Sequence, residues 1–167
     1  MEQLGNGGRD YADDKLTGAI IGAAIEAHRV LGPGLLESTY EECLSYELTA
    51  AGISFERQVI LPIVYKTIRL SRAYRLDLLV GGEVIVELKT VEKILHEHEI
   101  QVLTYLKLSN LERALIINFN AVPLKSGIRR LNRSASPVSP VSPFSPLSPE
   151  EVSRHSDHFL PGRLSSA

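Results

Sequence analysis

Two hydrophobic rhythms alternate along the chain and divide it into elements. In LTGAIIGAAIEAHRVLG, residues Ile20, Ala23, Ala24, Ala27, Val30 and Leu31 recur with the period of a helix, and Gly32-Pro33-Gly34 ends it. A second helix is expected from Leu35 through Ala51, closed by Gly52. ISFERQVILPIVYK then reads as a strand, with Pro62 at an edge or a bulge, and Lys66 to Ser71 as a turn or short strand. RLDLLV and VIVELK are apolar strands on either side of a glycine pair. His96 to Leu108 reads as a helix. RALIINFN is apolar enough to be a strand covered on both faces, and LKSGIRRLN adds a last edge strand. The order α-α-β-β-β-α-β-(β) predicts an α/β (α+β) sandwich, a central mixed sheet flanked by helices.

Three polar residues interrupt this pattern where packing does not call for them. Asp77 lies in RLDLLV, and Glu87 and Lys89 in VIVELK. Charged groups in apolar strands are costly unless paired, ligated or catalytic. Glu87 and Lys89 are two apart and share a face. A two-residue Gly81-Gly82 loop would set Asp77 opposite Val86, whereas a three-residue loop, Gly81 to Glu83, sets it opposite Glu87. The longer loop, or a bulge of equal effect, is expected, because it brings the two carboxylates together. Leu76, Leu78, Val80, Val84, Val86 and Leu88 would then form the opposite, core face. The plain alternative is a salt-bridged surface hairpin.

Length and composition narrow the setting. With 167 residues, the chain can hold one domain with a substantial core. Residues 1–13 read as a loose arm, 14–133 as the folded unit, and 134–167 as a Ser/Pro-rich tail with no expected fold. A docking peptide is the functional alternative for the tail. The formal charge of −2 gives no global basic field, so any positive patch must be local; Arg69, Arg72, Arg75, Lys89, Arg129, Arg130 and Arg133 are candidates. Cys43 is the only cysteine, which excludes an intrachain disulfide and a cysteine-built zinc or iron–sulfur site. A cytoplasmic protein is expected, with no membrane association.

Two helices offer further groups. Glu37 shares one side of the second helix with Tyr40 and Glu41, either as an acid complementing the helix dipole or as a carboxylate reaching the Asp77/Glu87 pair. His98, Gln101, Val102 and Tyr105 form one stripe on the later helix, where Gln101 and Tyr105 can hydrogen-bond a phosphate or water; a boundary tyrosine and a satisfied glutamine are the ordinary alternative.

Gly34, Glu37 and Tyr40 in GLLESTY match the motif of the GxxExxY family. RLDLLV, VELK and QVLTY together resemble the PD-(D/E)XK nuclease superfamily, in particular its RecB-like branch with a Gln-x-x-x-Tyr helix. The resemblance covers about residues 14 to 131. It implies a restriction-endonuclease-like αβββαβ core, with Asp77 and Glu87 binding a divalent metal, Lys89 catalytic and Glu37 an accessory acid. Gln101 and Tyr105 fall on the accessory helix motif, with His98 beside them. Leu76 stands where the motif has proline.

The expected activity is a Mg²⁺- or Mn²⁺-dependent nuclease acting on DNA in preference to RNA. Asp77, Glu87 and the Leu88 carbonyl would supply the metal's oxygens. Lys89 would stabilise developing phosphate charge. Small size is compatible with a homodimer or a partner protein. The alternative of a different class is a non-catalytic nucleic-acid- or protein-binding module on the same fold.

Overall fold

The computed structural model describes residues 14–133; the N-terminal arm and the Ser/Pro tail lie outside the described residues. Two helices, α1 (Lys15–Leu31) and α2 (Glu37–Ala50), precede strands β1 (Phe55–Tyr65), β2 (Ile68–Val80) and β3 (Val84–Lys89). Helix α3 (His96–Ser109), β4 (Arg113–Asn118), a 3₁₀ turn (Leu124–Gly127) and β5 (Ile128–Asn132) follow. The sheet has five strands in the order β1-β2-β3-β4-β5. Only β3 and β4 are parallel, so the chain must cross between their opposite ends, and α3 is that crossover. The result is a mixed sheet flanked by helices, the restriction-endonuclease-like arrangement.

Hydrophobic burial fills both faces of the sheet. Ile20 and Ala24 of α1, with Leu44 and Leu48 of α2, pack on Leu78, Val80, Val86 and Leu88. Val102, Tyr105 and Leu106 of α3 pack on the other face, against Val59, Leu61, Leu76, Leu79 and Ile85. Asp14 caps α1 by accepting from Thr17 N at 3.1 Å, and pairs with Arg113, whose other nitrogen reaches Glu83 at 2.7 Å. The start of α1, the β2–β3 loop and β4 are thereby tied together.

Three local expectations are corrected. The segment from Lys66 to Ser71 is not separate from the Asp77 strand: after a turn at Lys66-Thr67, β2 is one strand of 13 residues. Val30 and Leu31 are exposed, because α1 outlasts the surface it packs on and its buried positions stop at Ala27. Leu76 packs on the α3 side, not with Leu78. Its neighbour across the hairpin explains why. The β1–β2 register sets Gln58 level with Asp77, and Gln58 has φ 52°, a left-handed backbone that breaks strand alternation. Phe55 accordingly packs on the α1/α2 side and Val59 on the α3 side. Pro62 lies on an edge strand, next to a register shift between Pro62 and Val64.

Candidate active site

The β2–β3 hairpin sets the geometry. Val80 pairs with Val84, which leaves Gly81, Gly82 and Glu83 as the connection, with both glycines at positive φ (62° and 70°). The ladder runs through Leu78↔Val86 and stops, although β3 continues to Lys89. One step further along the same register, Asp77 comes level with Glu87. Here a side chain replaces the ladder: the Leu88 N–H donates to Asp77 Oδ2 at 2.8 Å. In an extended strand the N–H and C=O of one residue point to the same edge, so the Leu88 carbonyl also faces the Asp77 side. The next carbonyl, that of Lys89, turns the other way and accepts from Phe119 N at 2.8 Å.

Glu87 is only 4 % exposed. Its Oε1 accepts from Lys89 Nζ at 2.6 Å, while Oε2 is buried without a hydrogen-bond partner. Burial raises the Glu87 pKa to about 7; the Asp77 charge adds to the rise and Lys89 opposes it. Burial also raises the pKa of Asp77, against the Leu88 N–H and Lys89, which lower it. Tyr105 is pushed up to about 12, chiefly by burial and then by the Glu87 charge. Two acids and one base thus converge in a poorly solvated place, with more negative charge than Lys89 neutralises.

The surrounding groups are placed by α2 and α3. Glu37 accepts from Thr90 N at 3.1 Å, and its charge raises the pKa of both Asp77 and Glu87, so it stands beside the pair while bonded to the loop after β3. Tyr105 hydrogen-bonds Gln101, and its ring meets Tyr74 with centroids 5.3 Å apart. Gln101 therefore joins the site through Tyr105. His98 is engaged at the start of α3, where Nδ1 accepts from Leu95 N at 3.1 Å. Tyr40, the motif tyrosine, fixes the Gly-Pro-Gly loop: its hydroxyl donates to Gly32 O at 2.5 Å and accepts from Leu35 N at 3.2 Å, and its ring stacks on Phe119.

The sequence reading gave three contributors no role, although it set Glu41 on the same side of α2 as Glu37. Buried Glu41 accepts from Arg57 Nε at 2.6 Å and Gln58 Nε2 at 2.5 Å, and its charge adds to the rise of the Asp77 pKa. Asn118, 2 % exposed, clamps the loop after β3 through Val91 N (3.1 Å) and Val91 O (2.8 Å). An amide ending the apolar run RALIIN was the available signal, since a buried amide needs fixed partners. Tyr74, the third, carries no spacing signal.

The donors can be tested against a divalent metal. Among the described residues no three His, Cys, Asp or Glu side chains form a ligand cluster. What is on offer is a carboxylate pair and an inward-facing carbonyl. That sparse set suits Mg²⁺ or Mn²⁺, commonly held by one or two carboxylates while water and substrate phosphate complete the shell. The buried, unpartnered Glu87 Oε2 is the observation that fits a cation best.

Acids at the splayed end of a β-hairpin, a lysine two residues on and a crossover helix alongside define a nuclease-type core. The chain belongs to the PD-(D/E)XK nuclease superfamily, whose family model matches residues 14–131. Nucleases of this superfamily generally use divalent metal ions. No curated protein and no solved structure matches the chain. Among the described residues, no helix is long and apolar enough to cross a membrane.

Proposed function

We propose that this protein is a Mg²⁺- or Mn²⁺-dependent nuclease of the GxxExxY type, within the RecB-like branch, cleaving DNA in preference to RNA in the cytoplasm. The observation that carries the reading is the buried Glu87 carboxylate, half-satisfied by Lys89 and facing Asp77. A module that only bound nucleic acid would gain nothing from an uncompensated acid pair where phosphate must approach. The Gln101–Tyr105 pair on α3 supports the branch, and the Gly34-Glu37-Tyr40 motif supports the family type.

Asp77, Glu87 and the Leu88 carbonyl would hold the ion. When bound, it supplies Lewis acidity toward a phosphoryl oxygen and lowers the pKa of a water. Lys89, held by Glu87, sets a compact positive charge where the phosphate gains negative charge. Glu37 braces the loop after β3 and adds negative charge that favours a cation. Tyr105, Gln101 and the neighbouring His98 orient the nucleotide, with the Tyr105 phenol kept protonated as a hydrogen-bond donor. A homodimer or a partner protein would supply the clamp that so small a domain lacks.

The test is a cleavage panel of linear and circular, single- and double-stranded DNA, plus RNA, with Mg²⁺ and with Mn²⁺. Wild type should cut DNA only with metal. Lys89→Ala should lose about 10²-fold or more in rate while remaining folded by circular dichroism. Cleavage by this variant at the wild-type rate overturns the site assignment.

A further inference from the structure

The β1–β2 hairpin is far longer than the sheet it belongs to. β1 has 11 residues and β2 has 13, whereas β3 has six, and β2 pairs with β3 only over Leu78–Val80. Among the described residues, Ile68 to Asp77 therefore have no strand on their β3 side, and with β1 they form a two-stranded arm of about 30 Å at strand rise. Its root, Val59, Leu61 and Leu76, packs against α3, and further out Val64, Tyr65, Ile68 and Leu70 are exposed.

Its composition is one-sided. From Arg57 through Leu76 there are five Lys or Arg (Arg57, Lys66, Arg69, Arg72 and Arg75) and no Asp or Glu. The rest of the chain carries the other 13 of its 18 bases against all 20 acids, a formal −7. Arg57 is occupied by Glu41, but Lys66, Arg69 and Arg75 are exposed and have no ion-pair partner among the described residues. Between them stand exposed rings and aliphatic groups. Tyr65 is 58 % exposed, with Lys66 Nζ 5.4 Å from its ring centroid, and Val64, Ile68 and Leu70 are exposed as well. Tyr74, 38 % exposed, carries the series to Tyr105 beside Glu87.

We infer that this arm binds a single-stranded segment of nucleic acid and feeds it toward the Asp77/Glu87 pair. Positive charge without acids fits a phosphate backbone, and it opposes docking of a second copy of this same positive arm. Exposed tyrosines interleaved with the cations fit unpaired bases, whose faces a duplex hides. The arm is on the scale of the roughly 4–16-nucleotide sites of small single-strand-binding folds. The inference rests on the nuclease reading only for the direction of feeding; the binding itself stands apart from it.

The experiment is fluorescence anisotropy in EDTA with a labelled oligothymidylate and a labelled blunt duplex, using the full chain. Wild type should bind the single strand more tightly. Lys66→Ala/Arg69→Ala/Arg75→Ala should bind it about tenfold more weakly, with a log–log salt slope shallower by about 2, at an unchanged thermal midpoint. Tyr65→Ala should weaken single-strand binding by about fivefold and leave duplex binding alone. Unaltered binding by the triple variant, tighter binding of the duplex, or an arm variant that alters oligomeric state while binding persists would each overturn the inference. Binding through the arm without Mg²⁺-dependent cleavage would sustain it and defeat the nuclease reading; cleavage with arm-independent binding would do the reverse.

Discussion

Glu87 is the residue at which stability and chemistry pull apart. Its pKa rises from 4.5 to about 7 on folding, so the folded metal-free protein holds a proton there more tightly than the unfolded chain does. The charged form therefore destabilises the fold above pH 7, and the effect fades as pH falls from about 7 toward 4.5. Metal-free wild type should gain on the order of 1–3 kcal/mol on going from pH 8 to pH 5.5 in denaturant titrations, relative to Glu87→Gln, which lacks that ionisation. Glu87→Gln should also be the more stable protein at pH 8 and lose Mg²⁺ binding by calorimetry. Tyr40 is the opposite case. Its hydroxyl satisfies both Gly32 O and Leu35 N, so Tyr40→Phe should lower stability by about 1–2 kcal/mol, read as a shift in the denaturation midpoint.

At the scale of elements, the sequence disclosed most of what periodicity can carry. The helix spacing of Ile20, Ala24 and Ala27, the apolar run of β4 and the glycine-built connection between β2 and β3 all follow from local preference and burial. Leu76 did not, because its side is set by the backbone of Gln58 on the neighbouring strand, and no alternation rule contains that information. Asn118 and Glu41 were left without a role for a related reason: their partners, Val91 and Arg57, are 27 and 16 residues away. The 3₁₀ turn before β5 adds a contact of the same kind. A Cβ at Gly127 would lie 2.4 Å from Ala121 Cβ and 2.7 Å from Asn118 O. Gly127→Ala should therefore cost about 1–3 kcal/mol by thermal melting and loosen the loop that Asn118 clamps.

For the whole molecule, the described domain is a sheet with two jobs at its two ends. The α1 start, the β2–β3 loop and β4 are locked by Asp14, Arg113 and Glu83, whereas the other end opens between β2 and β3. The acids Asp77 and Glu87, legible in the sequence as charges in apolar strands, fall at the open end, where the ladder has stopped. The proposed site residues lie between Glu37 and Tyr105, so on the nuclease reading a chain ending at Arg133 should keep the wild-type thermal midpoint and the wild-type rate of metal-dependent cleavage. Loss of cleavage on that truncation would move the activity to an interaction made by the tail.

The bond from Leu88 N to Asp77 gives the acid at 77 an architectural duty that survives without any ion. A descendant of this fold that had abandoned hydrolysis would still profit from Asp or Asn there, as a surrogate for a missing strand carbonyl. Among the described residues Glu87 has no such backbone bond: its Oε1 holds only the Lys89 ammonium, and its Oε2 has no partner. Position 87, more than position 77, is thus where a retired member of this architecture would first betray itself, by drifting to an amide or a hydrocarbon.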